Sequence, residues 1–479
     1  MGDSEFLDRL DEYFQTPHGE GAAQNDPADE PVPSISELSA LAASRIDEFA
    51  GSSADRARAL LEEAWREYEA GRFEQALKII ESALITFVRG GAVDKAGIAT
   101  AFYSAAYIHI ENGSFEEALK ALDDSEMWRD AAGAASDLDS GESVQKYMIL
   151  KKRAAAHCAL KEYAGACEDM RLALIEILKA RGLNDPAVAD YYCCYGRYLL
   201  EADRYEEAFR QLNGAISVYE GLIEKHGYAA VKHSGNIPPK PFSAVSFPYA
   251  DLREAYELAF LACAELGWYG MAISYNADLK RHTIECGIND PEVFASIENT
   301  GGSSLMCVTD YRGALEAFSA ASGLLADMPS SPGRDILLAD AYKGIAEAAI
   351  AIGETGAAET YLPLAAELYL GLISDDNMRP LRDLLSICDA YSNALDDHET
   401  TLKLYCRAIA TAGERGVTNA LYMGRLHYSA GLEFAAYGAM QGAREHFRLS
   451  MEYYEKCGRA DLAERSRKEY VQIPDDEAI

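Results

Sequence analysis

Long apolar runs are missing from this 479-residue chain. No segment of eighteen or more uncharged apolar residues occurs, so nothing reads as a membrane-spanning helix. Met1 to Leu10 carries Asp3, Glu5 and Asp8 and lacks a basic stretch followed by an apolar one, which does not suit a secretory signal. A cytoplasmic location is expected. Bases are scarce, 44 against 78 acids, for a formal net charge of −34. A field of that sign repels nucleic-acid backbones and anionic membrane surfaces, so neither is an expected partner. A protein or peptide of basic character is the easier one. The ten cysteines form no CxxC pair, and they read as small buried hydrophobes in a reducing compartment. Proline is sparse, at 15, and alanine abundant, which favours helix over sheet. Catalytic signatures are missing too: no G-x-G-x-x-G, no phosphate-binding G-x-x-x-x-G-K-[ST], no H-E-x-x-H and no G-x-S-x-G. The nine histidines are dispersed, with no pair at metal-ligand spacing. The expectation is therefore no enzyme, with no catalytic residues, no metal and no cofactor.

What the chain does have is repetition. Gly71-Arg72-Phe73-Glu74-Gln75-Ala76-Leu77-Lys78 returns 42 residues later as Gly113-Ser114-Phe115-Glu116-Glu117-Ala118-Leu119-Lys120. The small residue of this second helix continues as Ala166, Ala208, Ala272, Ala314, Ala358, Thr401 and Ala443. Seven residues further on come Ala83, Ser125, Ala173, Ala215, Leu279, Ala321, Ala365, Ala408 and Ser450. Twelve before it, a small residue of a first helix recurs as Ala64, Ala106, Ala154, Gly196, Gly302, Ala346 and Gly431; Phe260 and Asp389 break that series. Small residues let two helices approach closely, and the apolar face each hairpin leaves must be covered by the next. Apolar residues at 49% supply a continuous core. Gly301-Gly302-Ser303-Ser304 could pass for a phosphate cradle, but Gly302 occupies the close-packing position.

This small–aromatic–Ala–apolar–Ala spacing resembles the tetratricopeptide repeat over roughly residues 53 to 457. The usual period is 34 residues, whereas here it is mostly 42. The longer form is similar to the repeats of kinesin light chains and of bacterial peptide-sensing Rap-type regulators. The resemblance implies an all-α, right-handed superhelical solenoid of about nine TPR-like helical hairpins, acting by binding rather than by catalysis.

The chain then divides as follows. Residues 1–34 form an acidic tail of disordered composition, with nine acids and one arginine. Within it, residues 5–14 place Phe6, Leu7, Leu10 and Phe14 on one helical stripe, a docking motif that equally suits a frayed terminus. Residues 35–226 hold a lead-in helix and the N-terminal repeats. Residues 227–247 are an acid-free, proline-rich insertion, with Lys232 and Lys240 among Pro238, Pro239 and Pro241. It reads either as a partner-binding loop or as a loop latched by its own aromatics. Residues 248–457 hold the C-terminal repeats, and 458–479 a polar capping helix with an acidic end. Gly182-Leu183-Asn184-Asp185-Pro186 recurs as Gly287-Ile288-Asn289-Asp290-Pro291, a helix stop followed by an N-cap and a first-turn proline.

In a right-handed stack the first helices line the concave groove. The repeat register puts Trp65, Tyr103, Tyr107, Lys151, Arg197, Lys343 and Tyr428 there as peptide- or partner-binding residues, though the aromatics equally suit interhelical core. The expected function is a non-catalytic scaffold or adaptor that binds a protein or peptide in that groove. The alternatives are a peptide-responsive regulator autoinhibited by its N-terminal helix, or a regulatory subunit of a separately encoded enzyme such as a protease.

Overall fold

The computed structural model describes residues 53–89, 94–133, 144–228, 231–232, 247–375 and 377–473. The docking motif of Phe6, Leu7, Leu10 and Phe14, the lead-in helix, the insertion residues 233–246 and the last six residues lie outside them.

The described residues form an all-α array of TPR-like hairpins, each a pair of helices joined by a tight turn. In order the pairs are α1 (Ser53–Glu69) and α2 (Phe73–Arg89), α3 (Lys95–Glu111) and α4 (Phe115–Ala132), α5 (Lys146–Ala159) and α6 (Tyr163–Arg181), and α7 (Pro186–Glu201) and α8 (Tyr205–His226). After β1 (Val231–Lys232) and β2 (Phe247–Pro248) come α9 (Tyr249–Glu265) and α10 (Tyr269–Glu285), then α11 (Pro291–Cys307) and α12 (Tyr311–Leu325). The last three pairs are α13 (Pro332–Ile352) and α14 (Thr355–Leu372), α15 (Arg379–Asp389) and α16 (His398–Glu414), and α17 (Ala420–Ala436) and α18 (Met440–Lys456); α19 (Ala460–Gln472) follows. The chain divides into two compact units, residues 1–262 and 263–479, the boundary falling inside α9.

One turn geometry serves all nine hairpins. Five residues before each small residue of the second helix, the backbone enters the left-handed region. Gly71, Gly113, Gly267, Gly353 and Gly438 do so with φ between 72 and 84° at no steric cost, and Lys161, Asp203, Thr309 and Asp396 do so despite their Cβ atoms. The turn closes the first helix: the Gly71 amide donates to Tyr68 O at 2.9 Å and the Arg72 amide to Glu67 O at 2.9 Å. Lys161 and Glu162 repeat the pattern onto Cys158 O and His157 O.

Packing follows the register read from the sequence. Ala76, Ala118, Ala166, Ala208, Ala272, Ala314, Ala358, Thr401 and Ala443 are all fully buried. Where the second small position is serine, its hydroxyl is used: Ser125 donates to Ala99 O at 2.8 Å and Ser450 to Gly424 O at 2.9 Å. A buried hydroxyl thus keeps the close approach without an orphaned donor. Gly302 packs rather than cradles phosphate, since a Cβ there would meet the Phe318 ring at 2.9 Å.

One break in the small-residue series has a structural cause: in the eighth hairpin Asp389 is exposed and Cys388, one residue earlier, is buried. A π-helical turn over Ala390–Ala394 takes up the extra residue before the αL turn at Asp396. The cysteines are not uniformly buried, because Cys307, Cys406 and Cys457 are exposed on helix ends or outer faces. The insertion's ends are held by a short parallel pairing of Val231 with Phe247 and Lys232 with Pro248, an exception to the otherwise helical structure. No described helix is long and apolar enough to cross a membrane.

Candidate functional site

The first helices of the 1–262 unit bring most of the expected site residues onto one face. α1 packs on α3, and α3 on α5, so side chains one repeat apart become neighbours. Trp65 and Tyr107 hold equivalent positions and meet edge to face, ring centroids 5.2 Å apart. Tyr68, one turn beyond Trp65, stands perpendicular to both, at 5.2 Å from Trp65 and 5.6 Å from Tyr107. Such edge-on contacts suit the ring quadrupoles. All three rings are half-buried.

The cations of this face are already engaged. Lys151 forms an ion pair with Asp190, 39 residues on, and its ammonium sits 4.8 Å from the centre of the Tyr191 ring. Arg197 pairs with Glu254 on α9. Lys152, beside Lys151, turns back to place Nζ 3.7 Å from the centre of the Tyr107 ring. Tyr191 in turn donates its hydroxyl to Tyr147 O at 3.2 Å, fixing α7 on α5. Tyr103 is half-buried among these groups.

Burial and like charges shape the electrostatics. Burial, with the neighbouring Lys151 charge adding to it, pulls the Lys152 ammonium down to about 8. Burial, helped by Asp190, pushes the Asp251 carboxyl up to about 6. Burial lifts the Tyr103 phenol to about 12 and the Cys194 thiol to about 11, so Cys194 is no ready nucleophile.

The 263–479 unit is different. Lys343, expected on the groove, donates to buried Asp383 at 2.9 Å. Arg379 bridges Asp383 and Asp340, and Tyr369 donates to Asp340 at 2.6 Å. Ser386 bonds Glu347 at 3.1 Å; Ser392 and His398 both bond buried Glu433, at 2.9 and 2.6 Å. Most of these links join residues about one repeat apart. Tyr428 corrects its expected role: it is buried against Phe447, with the Arg465 guanidinium of α19 over its ring, so it belongs to the core.

Sequence reasoning missed three features. Tyr68 and Lys152 complete the aromatic cluster, and a period-42 reading of groove positions skips both. His427 and His446 meet at 2.9 Å between their Nδ1 atoms, although 19 residues separate them in the chain. Burial lowers both, His427 to about 4, and holds the pair neutral, one ring donating and the other accepting. Among the described residues no group of three or more His, Cys, Asp or Glu is placed to hold a metal ion.

No protein-family model matches the sequence, and no curated protein matches it. The solved structures it is similar to are TPR-like repeat proteins. The apo form of RapI is 12% identical, over 84% of this chain and 99% of that one, with a TM-score of 0.47. The apo form of the quorum sensor NprR from B. thuringiensis is 13% identical, over 83% and 98%, with a TM-score of 0.43. The TPR-like repeats of a putative kinesin light chain from Podosopora anserina are 14% identical, over 49% and 97%, with a TM-score of 0.37.

Proposed function

We propose that this chain is a non-catalytic binding protein that captures a segment of a basic protein or peptide on the first-helix face of its 1–262 unit. The observation that carries the reading is the make-up of that face. Trp65, Tyr68, Tyr103 and Tyr107 stand half-buried, with the Glu111 charge acting on Tyr68. Preformed rings cost little conformational entropy when a ligand settles on them, and the Glu111 carboxylate favours a positive partner. The overall charge of −34 supports fast association with such a partner and a rate that falls with salt. Lys343 and Tyr428 are no longer part of the proposed surface.

Selection of a displayed random-peptide library on the full chain tests this. Enriched peptides are expected to be basic, to lose about tenfold in affinity against Tyr103→Ala, and to associate more slowly in high salt. Peptides indifferent to Tyr103→Ala and to salt overturn the proposal. The regulatory alternative draws on the spacing of Phe6, Leu7, Leu10 and Phe14 alone. It requires that deleting residues 1–30 raise the affinity of the same peptides, and an unchanged affinity removes it.

A further inference from the structure

Arg129 stands where the repeat register puts core. It lies eleven residues after Ala118, and the other eight hairpins fill that position with buried, uncharged residues, among them Phe87, Ile177, Leu325 and Tyr369. Its guanidinium is largely covered, and Nε and Nη1 are buried and donate to nothing among the described residues. Among them it forms one ion pair, from Nη2 to the exposed carboxylate of Asp130, its chain neighbour, at 3.4 Å. A buried charge without a buried partner raises the free energy of the closed state. A helix end can return such a charge to water for the loss of a few hydrogen bonds.

The neighbours confine the movement. Just before this turn, Ser125 donates to Ala99 O at 2.8 Å, and Glu126 pairs with Lys146 at 3.0 Å and with Arg153 at 2.8 Å, which pins α4 through residue 126. Past it, the Lys95 ammonium donates to Ala131 O at 3.1 Å in an exposed position. Trp128 is half-buried against the core formed by α1, α2 and α3. We propose that residues 127–132 form an opening element built into α4. The turn releases Trp128 from that core and takes the Arg129 guanidinium into water while the rest of the hairpin stays closed. Trp128 holds the turn down, and Arg129 lifts it. The element belongs to a second helix and is independent of the first-helix binding face. Its open form presents an indole and a guanidinium side by side, so one equilibrium sets how often both are exposed.

Hydrogen exchange of the full chain, read peptide by peptide and normalised to intrinsic rates, tests this. Residues 127–132 are expected to exchange faster than the matching turn of α6, residues 175–180, where Ile177 holds the position of Arg129. Arg129→Met is expected to slow residues 127–132 about tenfold and to leave α6 unchanged. Arg129→Leu repeats the measurement with a second apolar side chain, in case one of the two packs badly. Trp128→Ala, which removes the contact that holds the turn closed, is expected to act with the opposite sign and speed exchange there. Circular dichroism of each variant confirms that the fold is retained. Exchange at residues 127–132 as slow as in α6, or slowed by neither Arg129 variant, overturns the proposal. So does Trp128→Ala without acceleration, since ordinary fraying of a helix end depends on neither side chain.

Discussion

The first helices of the two units share one ion pair, Lys151 with Asp190 and Lys343 with Asp383 at the same repeat positions, and differ in what surrounds it. The first helices of the 1–262 unit add aromatic rings, and ammonium groups lie over two of them, Lys152 over Tyr107 and Lys151 over Tyr191. The first helices of the 263–479 unit gather buried or half-buried carboxylates instead, and each is closed by a partner: Asp383 by Lys343 on α13 and by Arg379 on its own helix, Glu347 by Ser386, Glu433 by Ser392 and His398. A charge that is buried and paired braces one repeat on the next and offers little to a ligand. Repeat register decides where a side chain points, and side-chain chemistry decides whether it binds or braces.

The most severe break in this contrast is expected from Asp383→Ala. It strands Lys343 and Arg379 beside a buried site and should cost the 263–479 unit about 3 kcal/mol. Urea denaturation, with hydrogen exchange read peptide by peptide to assign the loss to that unit, measures it. If Asp383→Ala costs under 1 kcal/mol, the ladder is not a brace.

Asp251→Asn comes next and has the opposite sign. The folded-state pKa of Asp251 is raised from 3.8 to about 6, so its favourable contribution is complete below about 4 and is lost as pH rises through 6. The amide mimics the neutral acid, so the variant should stabilise the 1–262 unit by up to about 2 kcal/mol at pH 7 and by nothing at pH 4. Denaturation at the two pH values checks both the size and the window.

Third is Tyr103→Ala, expected to cost about tenfold in peptide affinity with a smaller change in stability than Asp383→Ala produces. Parallel affinity and denaturation measurements on the two variants separate binding from bracing. The smallest effect belongs to His398. Its hydrogen bond to Glu433, with the carboxylate charge adding to it, raises its pKa above 6.5. The stabilisation is therefore complete below that value and is lost as pH rises through the raised one. Exchange around α15 to α17, normalised to intrinsic rates, should accelerate as pH rises above 6.5, and His398→Gln should flatten that slope. Since Asp251 acts between about 4 and 6, the two units lose stability in different pH windows.

Much of the architecture was legible because close packing is unforgiving. Nine hairpins need a small residue at a fixed place, and a series from Ala76 to Ala443 survives changes of interval from 42 to 64. Asp185 and Asp290 announced their helix starts, and each accepts the amide two residues on, at 2.8 and 3.0 Å. The register faltered at Asp389 because a π turn inserts a residue without leaving a periodic trace. Tyr428 misled because its groove-like position is covered by α19, which belongs to no repeat. Lys152 was overlooked because a long, flexible side chain reaches back over a neighbouring repeat from a position that repeat geometry assigns elsewhere.

Local chemistry and spacing, then, were enough to determine helices, turns, hairpin count and the sign of the field around the molecule. Those follow from backbone sterics and from net charge, which need no partner across space. Whether Lys151 is a free anchor or a paired one, and whether two histidines 19 residues apart touch, only the tertiary structure decided. Such outcomes depend on which side chains from different repeats arrive within a few ångströms of each other, and a one-dimensional period does not encode that.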